Sequence, residues 1–121
     1  MDWVEKLNLA ISYIENNLKD IDYTEITRIT ACPIGLFQRF FVLVTGITLS
    51  EYIRRRKLAH AAYDLLKNNA KVIDTALAYG YETSDSFCVA FKRFYGITPS
   101  EAKKSKQKLN HCNRIFFTLT V

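Results

Sequence analysis

The groups in this sequence able to do chemistry are mostly cations. Lysine and arginine number 17 against 12 aspartates and glutamates, a formal charge of +5 with pI near 9.2. The bases cluster in Arg54-Arg55-Arg56-Lys57, Lys92-Arg93 and Lys103-Lys104. Residues 1–30 hold six acids (Asp2, Glu5, Glu15, Asp20, Asp22, Glu25) and three bases (Lys6, Lys19, Arg28), a balance of −3, so the rest carries +8. Such a body suits a polyanion, nucleic acid before an anionic membrane surface. Covalent and metal chemistry have little to work with. His60 and His111 are the only histidines, and Cys32, Cys88 and Cys112 are odd in number and widely spaced. A disulfide framework and a zinc site are both disfavoured. No Ser/His/Asp set, carboxylate pair or phosphate loop assembles, so no catalytic residue, no metal and no cofactor is expected, and the chain is not expected to be an enzyme. His111-Cys112 as a stray metal site and Cys88 as a redox switch are the minor candidates.

The scaffold for these groups is small. At 121 residues the chain is one ordinary domain or two very small ones. A content of 49% hydrophobic and 24% charged residues is enough to bury a core. No apolar run approaches the roughly 18 residues of a membrane span, and Met1 to Lys6 lack the order of a signal peptide. The expectation is a soluble, reduced, cytoplasmic protein without membrane contact.

Helical periodicity runs through most of the chain. Asp2 with Glu5 forms a capping-box pattern ahead of a stripe of Trp3, Leu7, Ala10, Ile11, Ile14 and Leu18. Asp22 with Glu25 opens a short helix carrying Ile26 and Ile29. Pro33 fits the first turn of a third, with Leu36, Phe37, Phe40, Phe41 and Val44, which Gly46 stops. Thr48 with Glu51 opens the longest helix, about 49–68, on which Leu49, Tyr52, Ile53, Ala59, Ala62, Leu65 and Leu66 face inward. Asn68 and Asn69 close it.

The second half then repeats the first. Residues 37–51 align without a gap on 87–101, and seven of the fifteen pairs are identical: Phe37/Phe87, Phe41/Phe91, Gly46/Gly96, Ile47/Ile97, Thr48/Thr98, Ser50/Ser100 and Glu51/Glu101. Chance pairing at about one in twenty per position gives fewer than one match, so this is an internal duplication. Tyr23, Ile26 and Ile29 fall opposite Ile73, Ala76 and Tyr79, which brings the short helix into the repeat. A short helix, a tight turn and a longer helix make a helix-turn-helix. In the second copy Gly80 suits a left-handed turn position and Thr83 an N-cap. A linker helix of about 20 residues is about 30 Å long at 1.5 Å per residue, close to the roughly 34 Å between successive major-groove faces of B-DNA.

These residues resemble the DNA-binding domain of the AraC/XylS family of bacterial transcription regulators over about residues 8–104. The matching stretches are Phe37-Gln38-Arg39-Phe40-Phe41, Gly46 to Leu58, and Ala61 to Leu66. The most specific is Ala76-Leu77-Ala78-Tyr79-Gly80-Tyr81-Glu82 with Ser86-Phe87, Phe91-Lys92-Arg93-Phe94 and Gly96-Ile97-Thr98-Pro99. The resemblance implies an all-α fold of seven helices, with two homeodomain-like helix-turn-helix units on a long linker helix. It also implies control of transcription through double-stranded promoter DNA, with recognition helices about 33–44 and 84–95 in successive major grooves.

In the first recognition helix Ile34, Gly35, Gln38 and Arg39 point away from the phenylalanine face. Gln38 can pair with adenine and Arg39 with guanine, each worth about 1–3 kcal/mol of discrimination. A phosphate clamp or an intramolecular ion pair is the alternative role for Arg39. The corresponding positions in the second helix are Ser84, Asp85, Cys88 and Val89, where the family commonly has Arg in place of Val89. The second unit is therefore expected to specify bases weakly, through Ser84, contact of Val89 with a thymine methyl, and DNA shape. Phosphate contacts are expected from part of the set Arg54, Arg55, Arg56, Lys57, Lys92, Arg93, Lys103 and Lys104. The domain boundaries expected are 1–56, 57–108 and a tail 109–121. Ahead of that tail Lys103 to Lys108 is linker-like, and within it Arg114 to Val121 reads as a strand, the start of a truncated effector domain or else a strand that pairs with its copy in a second chain. RNA polymerase is the candidate protein partner, and a small-molecule effector would act only through such a further C-terminal domain. A helical module that docks on polymerase or another regulator is the competing function.

Overall fold

Capping side chains set where five of the seven helices begin in the computed structural model, which describes residues 2–105 and 109–118. Helix α1 (Trp3–Asn16) starts where the Asp2 carboxylate accepts from the Glu5 N–H at 2.8 Å. Helix α2 (Tyr23–Thr30) starts where Asp22 accepts from the Thr24 N–H at 2.9 Å. Helix α3 (Ile34–Thr45) follows Pro33, which is its N-cap, and ends at Gly46 with φ of 81°. Helix α4 (Leu49–Leu66) is opened by the Thr48 hydroxyl, which accepts from the Glu51 N–H at 3.1 Å. It closes through Asn69, left-handed at φ of 54°, with the Ala70 N–H returning to the Asp64 carbonyl at 3.0 Å.

The second copy follows the same plan. Helix α5 (Val72–Ala78) leads through Gly80, at φ of 86°, to α6 (Ser84–Tyr95), capped by Thr83. Helix α7 (Pro99–Ser105) starts with a complete capping box. The Thr98 hydroxyl accepts from the Glu101 N–H and the Glu101 carboxylate accepts from the Thr98 N–H, both at 3.2 Å. The offset of 50 is kept by α3 and α6 and by the starts of α4 and α7. The fold is thus all-α, with seven helices among the described residues.

The chain forms two compact units: residues 1–54 with 113–121, and residues 55–112. In the first, Leu7, Ala10, Ile11 and Ile14 of α1 close over Ile26, Phe37, Phe41, Leu49 and Tyr52, all buried. In the second, Leu58, Ala61, Ala62 and Leu65 pack with Ala76, Tyr79, Phe87, Phe91, Ala102 and Leu109. On α4 the inward residues include Leu58 and Ala61, whereas Ala59 and Leu66 are half-buried. Leu36 and Val44, expected on the apolar face of α3, are more than half exposed: at 100° per residue Leu36 points well to the side of Phe37 and Phe41, whereas Val44 shares their direction but lies in the last turn.

The strand expected from Arg114 is not formed over its described part. Residues 109–118 carry no helix or strand, and Leu119, Thr120 and Val121 lie outside the described residues, as do Lys106, Gln107 and Lys108 of the linker-like run. Exposure nevertheless alternates along it as in a strand: Ile115 is half-buried, Phe116 is 71% exposed and Phe117 is buried. A strand needs a neighbouring strand to accept its ladder, and here side chains take that place. The Asn8 amide accepts from the Phe117 N–H at 2.8 Å and donates to its carbonyl at 2.9 Å. The Tyr52 hydroxyl accepts from the Ile115 N–H at 3.0 Å, and Arg114 donates to the Ser12 hydroxyl at 2.6 Å.

Candidate nucleic-acid interface

Each unit presents its longer helix on a base of buried phenylalanines. In α3, Phe37 and Phe41 are fully buried, and Tyr52 of α4 lies 5.4 Å from Phe41, ring centre to ring centre. This orientation exposes Gly35, Gln38 and Arg39 and leaves Ile34 half-buried. Neither Gln38 nor Arg39 makes a side-chain hydrogen bond or ion pair among the described residues, so an intramolecular partner for Arg39 is not part of this arrangement. No side chain caps the start of α3, and its first turn carries no acid. Its amides therefore form a ready anion site if phosphate approaches.

In α6, Phe87 and Phe91 are the buried pair, with Tyr81 5.3 Å from Phe87 and Tyr95 4.7 Å from Phe91. Asp85 and Val89 are exposed, and Ser84 and Cys88 half-buried. The Thr83 hydroxyl already accepts from the Ser86 N–H at 3.1 Å, and Asp85 adds negative charge to the same turn. Burial, and then the neighbouring Asp85, push the Cys88 thiol above its usual pKa. The reactive thiolate is thereby depleted at neutral pH, which argues against the redox-switch role.

The eight candidate phosphate ligands divide by what already holds them. Arg54 pairs with Glu51 at 2.8 Å. Arg55 lies 5.7 Å over the Phe94 ring, and Arg56 donates to the Cys112 carbonyl at 2.6 Å. Lys103 donates to the Ala70 carbonyl at 2.8 Å, tying α7 to the loop after α4. Lys92, Arg93 and Lys104 are exposed and Lys57 half-buried, and none of the four takes a hydrogen bond or ion pair among the described residues. Lys92 and Arg93 also sit in the last turn of α6, where the helix dipole favours cations. Beside His111, the Tyr95 hydroxyl is 2.7 Å from Nδ1, and burial together with Arg56 lowers the imidazole pKa. No three His, Cys, Asp or Glu side chains gather to hold a metal among the described residues. No single helix among them is long and apolar enough to cross a membrane.

Sequence reading passed over the positions of α3 that pair with Lys92 and Arg93. These are Val42 and Leu43, the latter 85% exposed. The signal was available by subtracting 50.

A helix-turn-helix domain family matches residues 26–105. The HTH-type transcriptional activator AarP of Providencia stuartii is 38% identical over 73% of this chain and 66% of its own length. The Tn10 TetD protein of Escherichia coli is 40% identical over 80% of this chain and 71% of its own. The chain thus spans about two thirds of each of these relatives. Among solved structures, a Chromobacterium violaceum transcriptional regulator, described as having an AraC-type DNA-binding domain, superposes with a TM-score of 0.76. It is 22% identical and covers 84% of this chain and 92% of that one. With the repeat, the turn chemistry and the matched family in agreement, this chain belongs to the AraC/XylS family of DNA-binding transcription regulators.

Proposed function

We propose that the chain regulates transcription by binding a specific double-stranded promoter site, with α3 and α6 entering successive major grooves. The observation that carries this reading is the pair Gln38 and Arg39, exposed on α3 and engaged by no partner among the described residues. An amide and a guanidinium so presented suit adenine and guanine edges. On α6 the same positions hold Cys88 and Val89, so this helix contributes shape and methyl contacts at bases and its cations Lys92 and Arg93 at phosphates. The 18 residues of α4 make a helix of about 27 Å, a length compatible with reading on one side of a duplex. Lys57 and Lys104 complete the phosphate set, and Arg56 and Lys103 serve the protein's own carbonyls instead. Base reading of this kind needs no bound metal or cofactor and no catalytic step. RNA polymerase is the protein partner that activation from a promoter would require, and a small-molecule effector would act through a further domain.

The test is selection from a random duplex library at fixed salt, comparing the wild type with Arg39→Ala. A motif that loses information over one half-site in the variant supports the reading and assigns that half to α3. If only bulk, salt-sensitive binding remains in both proteins, the reading fails, and docking on polymerase or another regulator takes its place.

A further inference from the structure

The segment Arg114–Phe117 is held as a bound peptide is held. Both backbone polar groups of Phe117 are satisfied by one side-chain amide, that of Asn8, at 2.8 and 2.9 Å. The next inward residue, Ile115, gives its N–H to the Tyr52 hydroxyl. The Phe117 ring lies 6.1 Å from Phe40 of α3, and Trp3 of α1 meets Phe40 edge-on at 5.7 Å. An amide bonding to both groups of one residue reproduces what a strand edge offers an extended ligand, and the ring pocket adds side-chain selection. Two of the four side chains that receive the segment touch or belong to α3. Phe40 belongs to it, and Tyr52 packs on Phe41.

The internal repeat shows that this face is special to the first unit. Fifty residues on, Phe40 is replaced by Ala90 and Tyr52 by Ala102, so the second copy has neither ring nor hydroxyl to offer. We propose that Asn8, Ser12, Phe40 and Tyr52 form a binding site for an extended peptide, with the chain's own Arg114–Phe117 as its intramolecular ligand, and that occupancy of this site positions α3 for reading DNA. The second clause rests on the DNA-binding reading above, whereas the first does not. Coupling of this kind is reciprocal: DNA that favours the seated α3 tightens the hold on the segment by the same factor.

A fluorescent peptide of residues 110–118 tests both clauses. A tethered segment competes at an effective concentration on the order of millimolar. The full-length Phe117→Ala protein, with its own ligand weakened, is therefore expected to bind the peptide at least about tenfold more tightly than the wild type, by anisotropy. Asn8→Ala in addition is expected to abolish that gain. Equal binding by wild type and Phe117→Ala overturns the site, as does binding indifferent to Asn8. On the duplex enriched by the wild type, Phe117→Ala is expected to bind more weakly, with loss confined to the half-site read by α3, and added peptide is expected to restore it. Phe116→Ala, at the exposed neighbour, is expected to change nothing. Weakening that peptide does not reverse makes Phe117 packing only and sinks the positioning clause. Arg114→Ala removes a bond of the segment to Ser12 and leaves the site itself intact, so it gives the same readouts in smaller measure if Phe117→Ala fails to fold. A wild type that enriches no duplex removes the DNA reading, and anisotropy still decides the peptide site.

Discussion

The two helix-turn-helix units share a frame and differ in how they complete it. Helix α6 is complemented at both ends, with Thr83 and Asp85 at its start and Lys92 and Arg93 in its last turn. Helix α3 has no side-chain cap, no acid in its first turn and no base in its last. It is instead surrounded by aromatic rings from other elements: Trp3 and Phe117 about Phe40, and Tyr52 beside Phe41. Local sequence complements the ends of α6 and leaves those of α3 bare, while rings from other elements pack on both. Their cargo is exchanged in the same way. Where α3 has Gln38 and Arg39 it then has Val42 and Leu43, and where α6 has Cys88 and Val89 it then has Lys92 and Arg93. On the proposed reading one copy carries groups for base edges and the other carries groups for phosphates, a division that duplication followed by divergence allows at little cost to either core.

The largest effects should be the least discriminating. Phe41→Ala and Phe91→Ala each empty a fully buried site and should cost about 3–5 kcal/mol of stability. Hydrogen exchange is expected to lose protection in the unit that carries the change. Loss across both units from Phe41→Ala alone would break the comparison, because the two would then unfold as one.

Next come the exchanged cations. Arg39→Ala should cost about 1–3 kcal/mol on the selected duplex and little on random DNA. Arg93→Ala should weaken both alike and flatten the dependence of log K on log salt by about 1. If both variants behave identically in a salt titration, the division of labour is wrong.

The two turns give opposite signs. Gly80 is left-handed at φ of 86°, and Gly80→Ala should destabilise by about 1–2 kcal/mol. Ala31 already bears that conformation at φ of 56°, and Ala31→Gly should stabilise by about 0.5 kcal/mol, the relief of its Cβ being partly offset by glycine entropy. Thermal melts of the pair decide it.

The smallest expected difference is in acid. Asp22 is held below the usual carboxylate range by the Thr24 hydroxyl and amide, Glu25 by hydrogen bonding to Arg28, and Glu101 by Thr98. A depressed folded pKa gives stability above the unfolded value, about 4, that is lost as pH falls through the folded one. With two such groups in its repeat, the first unit should loosen slightly more than the second on acidification, followed by exchange. Thr24→Val should narrow the gap.

Most of the frame was legible because it is written in local chemistry. Asp2, Asp22, Thr48, Thr83 and Thr98 each cap the helix their position announces, and Gly46 and Gly80 take the left-handed turns. The reading face of α3 followed from the period of Phe37 and Phe41. What stayed hidden depends on partners far apart in sequence. The roles of Arg56 and Lys103 are fixed by carbonyls at Cys112 and Ala70, and periodicity carries no information about either. The apolar run from Arg114 was read as a strand because residue type reports a taste for extended backbone, not what accepts its amides. Asn8, on a helix face of ordinary polarity, announced nothing.

The first unit is assembled from residues on either side of the second, with 55–112 lying between its main part and Arg114–Phe117. During synthesis, which adds about 5–20 residues per second, several seconds separate the emergence of α3 from that of the segment that seats against it. The order of completion is therefore the reverse of the order of encoding. The second unit can finish first, while the amides and rings waiting at Asn8, Phe40 and Tyr52 stay open to solvent and to chaperones until the chain returns to them.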